Sequence, residues 1–338
     1  MKATGRTASK PARSSRKTPT LPAARDSSNA LHPRTVHPGG LLGIEPLSWD
    51  QILAILHQAA KFKTSPRSSL LQGKRLVLLF YEPSTRTRVS FEFAAKALGA
   101  TTSLVSAAAS SIEKGESLID TGYTLTALGA QAIVIRHPSS GAPHLLARHV
   151  PVPVINAGDG MHEHPSQALL DAFTILQQKK KLQGLRVAMV GDIFHSRVVR
   201  SDVHLLTKAG AEVVLCGPQE LVPELATSLA PHVSITRELK TALEGADVII
   251  ALRIQKERLA GLQISLDEFI ERYQIRLDRL AWAKKGVLLM HPGPIIRGLE
   301  LTSDVADAQQ SVILDQVHNG VAVRMAILAR ALGASHVR

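Results

Sequence analysis

Cysteine is almost absent from this chain: Cys216 stands alone among 338 residues. A single thiol closes no internal disulfide and cannot build a cysteine-rich zinc site. It ends the apolar run 211–216 and reads as a packed strand-end residue, since no base stands beside it to make a nucleophile. Long apolar runs are missing as well. Nothing approaches the roughly 18 residues that a membrane helix needs, so a helical span is excluded. Aromatic residues make up only 4% of the chain, which argues against a single-strand nucleic-acid binder that stacks bases on aromatic side chains. Acidic residues are short too, 28 against 40 lysines and arginines, for a formal charge of +12. That excess is concentrated. Residues 1–36 hold eight basic residues (Lys2, Arg6, Lys10, Arg13, Arg16, Lys17, Arg25, Arg34) and one acid, Asp26, so they carry +7 and leave +5 for the other 302. The body is mildly basic and is not built as a nucleic-acid module.

Residues 1–36 are rich in Ser, Thr, Pro, Ala and Arg and show no apolar period. Such a segment buries too little surface to offset its ordering entropy, so a disordered basic N-terminal tail is expected. Three readings stand for it: a solvated tail, a docking arm for a partner, and an organelle transit peptide, which is also Arg- and Ser-rich and acid-poor.

From about residue 37 the chain alternates short apolar runs with segments able to form helices. One set of runs covers 75–81, 102–105, 132–136 and 152–156; a second covers 185–190, 212–216, 232–235, 247–252 and 287–290. Continuous apolar strands alternating with helices imply parallel sheets covered on both faces. The run Gln-Gln-Lys-Lys-Lys at 177–181 marks an exposed helix end between the sets. The expected fold is therefore α/β, with two doubly wound parallel-sheet domains and ligands bound beyond the carboxyl ends of the strands.

The first such end is the most informative. The strand 75–81 runs into Glu82-Pro83-Ser84-Thr85-Arg86-Thr87-Arg88 and then a helix-like stretch, 89–98. Pro83 stops the strand and Ser84 suits an N-cap. A helix N-terminus offers free N–H groups and a positive dipole end, so hydroxyls and an arginine placed there form a phosphate cradle. A merely capped, solvated helix does not require Ser-Thr-Arg-Thr-Arg directly after an apolar strand. At 80–91 the sequence FYEPSTRTRVSF resembles the carbamoyl-phosphate signature of the aspartate and ornithine carbamoyltransferases, and the resemblance continues from about residue 40 to the end. It implies that Ser84, Thr85, Arg86 and Thr87 bind the phosphate and carbonyl ends of carbamoyl phosphate.

Further stations follow in order. Arg136 closes the strand 132–136, where its fork suits phosphate oxygens, and the family assigns the matching arginine to carbamoyl phosphate; His137 reads as structural. In His164-Pro165-Ser166-Gln167-Ala168-Leu169-Leu170-Asp171, Pro165 fits the first helical position. His164, Gln167 and Asp171 then share one polar stripe opposite Leu169, Leu170 and Phe173. The resemblance makes His164 the group that polarises the carbamoyl oxygen and Gln167 a holder of the carbamoyl amine, with Asp171 orienting its neighbours. The small residues of 107–116 suggest a mobile loop. There Ser110 and Lys114 match family residues that reach into a neighbouring subunit's site, which implies a homotrimer with shared active sites. In the second half, Gly191-Asp192-Ile193-Phe194-His195-Ser196-Arg197 lacks the G-x-G-x-x-G turn, so a nicotinamide cofactor is not expected. Arg197 matches a family arginine for the substrate α-carboxylate. Arg253 and Gln255 face one side of an extended end and match R-x-Q, which holds the aspartate side chain. His291-Pro292-Gly293-Pro294 suits a rigid turn near the reacting centre, with Pro292, Gly293 and Pro294 forming it.

Charge separates the two carbamoyltransferase types. Carbamoyl phosphate and aspartate together bring about four negative charges, and Arg86, Arg136, Arg197, Arg253 and Lys114 stand against them. Ornithine's side-chain cation would be repelled by Arg253. The ornithine enzymes also carry a cysteine-containing H-C-L-P turn where this chain has HPGP. The resemblance thus implies carbamoyl transfer to L-aspartate, a step of pyrimidine biosynthesis, with no metal and no cofactor. Donors at Thr87, Arg136 and His164 would stabilise charge on the carbonyl oxygen, and the departing phosphate would accept the amine proton. An inactive anion-binding scaffold would keep Arg86 but has no need of Arg253 and Gln255. The expected division is a carbamoyl-phosphate domain over 37–175, completed by a C-terminal helix at 312–338, and an aspartate domain over 176–311, with the active site in the cleft between them. The enzyme is expected in the cytoplasm. Regulatory or dihydroorotase-like partner subunits fit the resemblance, but one chain does not specify them.

Overall fold

The structure is a computed structural model that describes residues 1, 35–106, 115–254 and 264–333. The basic tail, apart from Met1, Thr35 and Val36, lies outside the described residues, as do Ser110, Lys114 and Gln255. No helix among the described residues is long and apolar enough to cross a membrane.

In chain order the elements begin with α1 (Trp49–Thr64), β1 (Arg75–Phe80), α2 (Thr85–Ala97), β2 (Thr101–Ser106) and α3 (Leu118–Ala127). They continue with β3 (Ala132–His137), α4 (Ala142–Ala147), β4 (Val154–Asp159), α5 (Pro165–Lys179), β5 (Arg186–Val190) and α6 (Arg197–Lys208). Next come β6 (Glu212–Cys216), β7 (Val233–Thr236), α7 (Leu239–Leu243), β8 (Val248–Ala251), α8 (Leu266–Tyr273) and α9 (Leu277–Leu280). The chain closes with β9 (Leu288–Met290), α10 (Ser303–Ala306) and α11 (Ile313–Ala331).

All nine expected strands are present. They form two all-parallel sheets, ordered β2-β1-β3-β4 and β7-β6-β5-β8-β9. In the first sheet the chain steps outward from β1 to β2, then reverses to lay β3 on the other side of β1. The second repeats the device, with β5 leading out through β6 to β7 and β8 returning to β5's free edge. Each reversal opens a crevice at the strands' carboxyl ends, where an α/β sheet binds its ligand. The fourth strand starts later than the apolar run 152–156, because Pro151 and Pro153 lack the N–H that a ladder needs. Its outer edge is covered by Leu41, which donates to the Val154 carbonyl and accepts from Asn156 N–H.

The C-terminal α11 returns to the first sheet's side of the molecule and packs against α1, α2 and α5. Burying large side chains such as Phe62 and Phe91 completely contributes about 1.5–3 kcal/mol each. Helix α5 packs against α6, so one continuous apolar core runs from Ile155 through Leu169 to Val203 and Val213. That packing corrects the two-faced reading of α5: every residue from Pro165 to Ile175 is buried, polar stripe included. Cys216 ends β6 fully buried, and burial pushes its thiol up to about 12.

Candidate active site

Serine hydroxyls close several helices in the ordinary way: Ser48, Ser117 and Ser196 each accept a backbone N–H of the first turn. Other helix starts carry no side-chain cap, and two of these hold motifs singled out in the sequence. Ser84 before α2 and His164 before α5 occupy N-cap positions but make no capping bond, and neither helix has an acid in its first turn. Neither N-cap side chain is spent on the helix backbone, although the His164 ring Nδ1 lies 3.4 Å from Ser166 Oγ and the Gln167 N–H donates to the His164 carbonyl, and no first-turn acid compensates the positive helix ends. Arg86 sits in that first turn of α2. Burial holds its guanidinium below the usual range, and the charge of Arg253 adds to the effect. Arg86 also lies directly against Gly293, whose backbone has φ +70°; a Cβ there would stand 2.4 Å from the guanidinium carbon. The left-handed backbone favours glycine there, and a side chain would push the Arg86 guanidinium aside.

The two sheet reversals supply the other cations. Arg136 ends β3 beside the β1 carboxyl end, while Arg197 opens α6 after β5 and Arg253 follows β8. One oxygen of Glu82, just beyond β1, joins two of them: Oε2 lies 2.8 Å from Arg197 Nη2 and 3.3 Å from Arg136 Nε. Burial, and next the charge of Arg197, brings Arg136 down to about 10, with Glu82 opposing. Gly158 (φ +113°) lets them converge, since a Cβ there would sit 3.0 Å from Arg197 Nε and 3.1 Å from Arg136 Nη1.

His164 is fixed from behind. Its backbone N–H donates to Ser201 Oγ at 2.8 Å, and Ser201 Oγ donates to the buried Glu163 carboxylate at 2.7 Å. Burial, followed by the charges of Arg136, Arg197 and Arg324, holds the ring well below the usual histidine range. The imidazole is neutral and keeps one N–H to donate. One turn on, Gln167 Nε2 donates to both Asp171 oxygens at 3.0 and 3.2 Å, which leaves its carbonyl oxygen free to accept. Asp171 also accepts from Gln316 Nε2 at 2.7 Å, and Gln316 Oε1 accepts the His291 N–H at 3.0 Å. His291 Nδ1 accepts Gly293 N–H at 2.7 Å, so its proton is on Nε2, which faces Glu300 Oε1 at 3.2 Å. A continuous chain thus links α5, α11 and the 291–294 turn. Burial pushes the Asp171 carboxyl up to about 7 against the bonds from Gln316 and Gln167.

These groups line one cavity of about 710 Å³. Of the described residues singled out from the sequence, Ser84, Thr85, Arg86, Thr87, Arg136, His164, Gln167, Arg197, Arg253, Pro292, Gly293 and Pro294 are on its wall, and Asp171 stands behind Gln167. Five arginines face two carboxylates there, Glu82 and Asp192. The fifth, Arg324, was not anticipated. It is fully buried on α11, with its charge carbon 5.2 Å from the Phe91 ring, and burial brings it down to about 10 while Asp171 opposes. Glu82, Gln316 and His195 also line the cavity and were not anticipated. Arg324 had a readable signal, a lone charge inside the apolar run Val321–Leu328. Arg297 turns away from the cavity and makes a two-pronged surface pair with Asp307 at 2.7 Å. His137 is structural, accepting Ser139 N–H and packing on Tyr81.

The chain matches two family descriptions that together cover most of its length. Residues 40–177 match the carbamoyl-P binding domain of aspartate/ornithine carbamoyltransferase, and residues 183–331 match its Asp/Orn binding domain. The sequence is 64% identical over 291 residues to the aspartate carbamoyltransferase catalytic subunit of Koribacter versatilis, spanning 86% of this chain and 96% of that one. The fold is similar to aspartate transcarbamoylase from Trypanosoma cruzi in complex with carbamoyl phosphate and aspartate: TM-score 0.79, 31% identity, 87% of this chain and 95% of that one. Ornithine carbamoyltransferase from Pyrococcus furiosus is similar to the same degree, with TM-score 0.80 and 31% identity over 90% of this chain and 99% of that one.

Proposed function

The chain belongs to the aspartate/ornithine carbamoyltransferase family, and from that premise we propose how its cavity works. The protein is an aspartate carbamoyltransferase: it transfers the carbamoyl group of carbamoyl phosphate to the amine of L-aspartate, giving N-carbamoyl-L-aspartate and phosphate. The observation that carries the residue assignments is the meeting of two uncapped helix starts with five arginines on one wall. The first turn of α2, with Ser84, Thr85 and Arg86, takes the phosphate. Thr87, Arg136 and neutral His164 surround the carbamoyl oxygen and donate to it as its charge grows, in a setting where fixed donors are worth most. The Gln167 carbonyl, held outward by Asp171, accepts from the carbamoyl NH₂. Arg197 and Arg253 take the aspartate carboxylates, with Gln255 beside Arg253. Arg324 adds charge behind the phosphate subsite.

With both substrates held at reacting distance, the amine attacks the carbamoyl carbon and phosphate leaves. Positioning supplies much of the acceleration, and the departing phosphate accepts the amine proton. Residues 37–175 with the C-terminal helix form the carbamoyl-phosphate half, and 176–311 the aspartate half. The working unit is a homotrimer in the cytoplasm, with Ser110 and Lys114 completing a neighbour's site. Exposed Phe93 on α2 and exposed Leu104 on edge strand β2 support a subunit contact on that side. A parallel carbamoylation assay with aspartate and ornithine, alongside a native mass, tests this reading. Turnover with aspartate alone in a trimer is expected; turnover with ornithine would overturn the substrate assignment, since Arg253 should repel its cation.

A further inference from the structure

Outside the arginine-lined wall, three side chains from separate elements converge on one point: His144 on α4, Asp159 at the end of β4, and His162 in the turn that leads to α5. One ligand atom from each lies within 4.8 Å of the others. We propose that His144, Asp159 and His162 form a binding site for a divalent transition-metal ion, with zinc as the ion best matched to two imidazoles and a carboxylate.

The donor set is two nitrogens and one oxygen without sulfur, which suits Zn²⁺, Ni²⁺ or Co²⁺ and not the oxygen-seeking Mg²⁺ or Ca²⁺. Around a tetrahedral zinc with bonds of about 2.0–2.1 Å, neighbouring ligand atoms stand roughly 3.3 Å apart. His162 Nδ1 is already 3.1 Å from Asp159 Oδ2. The remaining closure falls to His144, whose ring centroid is 5.4 Å from that of His162. His144 Nδ1 is buried and has no hydrogen-bond partner among the described residues, a state that costs free energy unless a proton donor or an ion meets it. The carboxylate is oriented from behind as metal ligands are: Gly141 N–H at 2.7 Å, Asn156 Nδ2 at 2.8 Å and Glu163 N–H at 3.2 Å all donate to Asp159. His162 keeps 38% of its side chain exposed, which gives an ion a way in and leaves a fourth position for water. Asp159 and His162 sit on the segment that delivers His164 to the cavity, so a bound ion would tie α4 to that segment. Its part is structural, and the transfer chemistry does not pass through it. In sequence the site is hard to see, because His144 and His162 lie 18 positions apart with no ligand-spacing motif between them.

The test uses the full chain stripped of metal and titrated with Zn²⁺ by calorimetry, then with Co²⁺ followed by visible absorption. One saturable equivalent, a tetrahedral Co²⁺ spectrum and a rise in Tm with Zn²⁺ are expected. His144→Ala and His162→Ala should each weaken that equivalent at least tenfold and abolish the rise in Tm. His149→Ala, whose ring bonds the Leu145 carbonyl instead, should bind as the unsubstituted chain does. Absence of a saturable equivalent, or unchanged affinity in a folded His144→Ala chain, would overturn the proposal.

Discussion

The Glu82 carboxylate lies 2.8 Å from Arg197 Nη2 although 115 residues separate the two in sequence. Glu82 follows the strand at the reversal of the first sheet, and Arg197 opens the helix after the corresponding strand of the second. The pair therefore spans the cleft and aims an arginine at the ligand space. Glu82→Gln keeps the shape and removes the charge. Because both side chains are partly exposed, thermal stability should change by about 1 kcal/mol or less. Catalysis should suffer more, with kcat/KM for aspartate falling roughly tenfold as Arg197 loses its restraint. Should Glu82 act mainly as a competitor for the substrate carboxylate, aspartate affinity would rise instead, and steady-state kinetics separates the two.

Gly293 makes a second prediction, one of close packing. A methyl group there meets the Arg86 guanidinium and forces a side chain into a left-handed backbone. Gly293→Ala should displace Arg86 and weaken carbamoyl phosphate binding by tenfold or more, about 1.4 kcal/mol, while the chain remains folded. Unchanged affinity by calorimetry would mean that Arg86 does not hold the phosphate.

Much of this was legible in the sequence, for identifiable reasons. Most strands carry short runs of apolar, often β-branched residues, and Pro83 and Pro165 mark where helices begin, so the strand ends and the residues on them could be placed. What could not be read is the second layer. Asp171 meets Gln316 across 145 positions, and Glu82 meets Arg197 across 115. Neither pairing leaves a local pattern, because the fold alone brings the partners together. The polar stripe on α5 could be seen, but not its partners, because Gln316 and Asn319, which bond Asp171 and Thr174, are remote in the chain.

Histidine protonation supplies a third prediction. Burial and three nearby arginines hold His164 well below a free histidine's value of about 6.5. The folded state then binds fewer protons here than the unfolded state just under that pH. The contribution of His164 to stability is complete above about pH 6.5 and is lost as pH falls below it; buried His291 shifts the same way. Nuclear magnetic resonance of the His164 ring should report the neutral form from about pH 8 down to about pH 6. A titration midpoint near 6.5 would show the ring to be solvated and not a fixed neutral donor.

Sharing of sites between subunits is tested by mixing. Lys114→Ala chains and Arg86→Ala chains should each be inactive. Once mass spectrometry shows that subunits have exchanged, some hybrid trimers contain a site with native Arg86 from one chain and native Lys114 from its neighbour, and activity should return. If each chain completed its own site, exchange would restore nothing.

The central claim is that labour is divided: Arg86 and Arg136 for carbamoyl phosphate, Arg197 and Arg253 for aspartate. Arg253→Ala tests it most directly. Arg86 keeps its charge whether or not Arg253 is present, so carbamoyl phosphate should bind nearly as before, weakened only slightly by the loss of one neighbouring positive charge. Apparent aspartate affinity should fall by about 30-fold or more, the loss of a desolvated charge-assisted contact worth 2–5 kcal/mol. Measuring carbamoyl phosphate binding by calorimetry and aspartate KM on the same preparation gives the answer. Unequal losses in that direction support the division, and an equal loss for both substrates contradicts it.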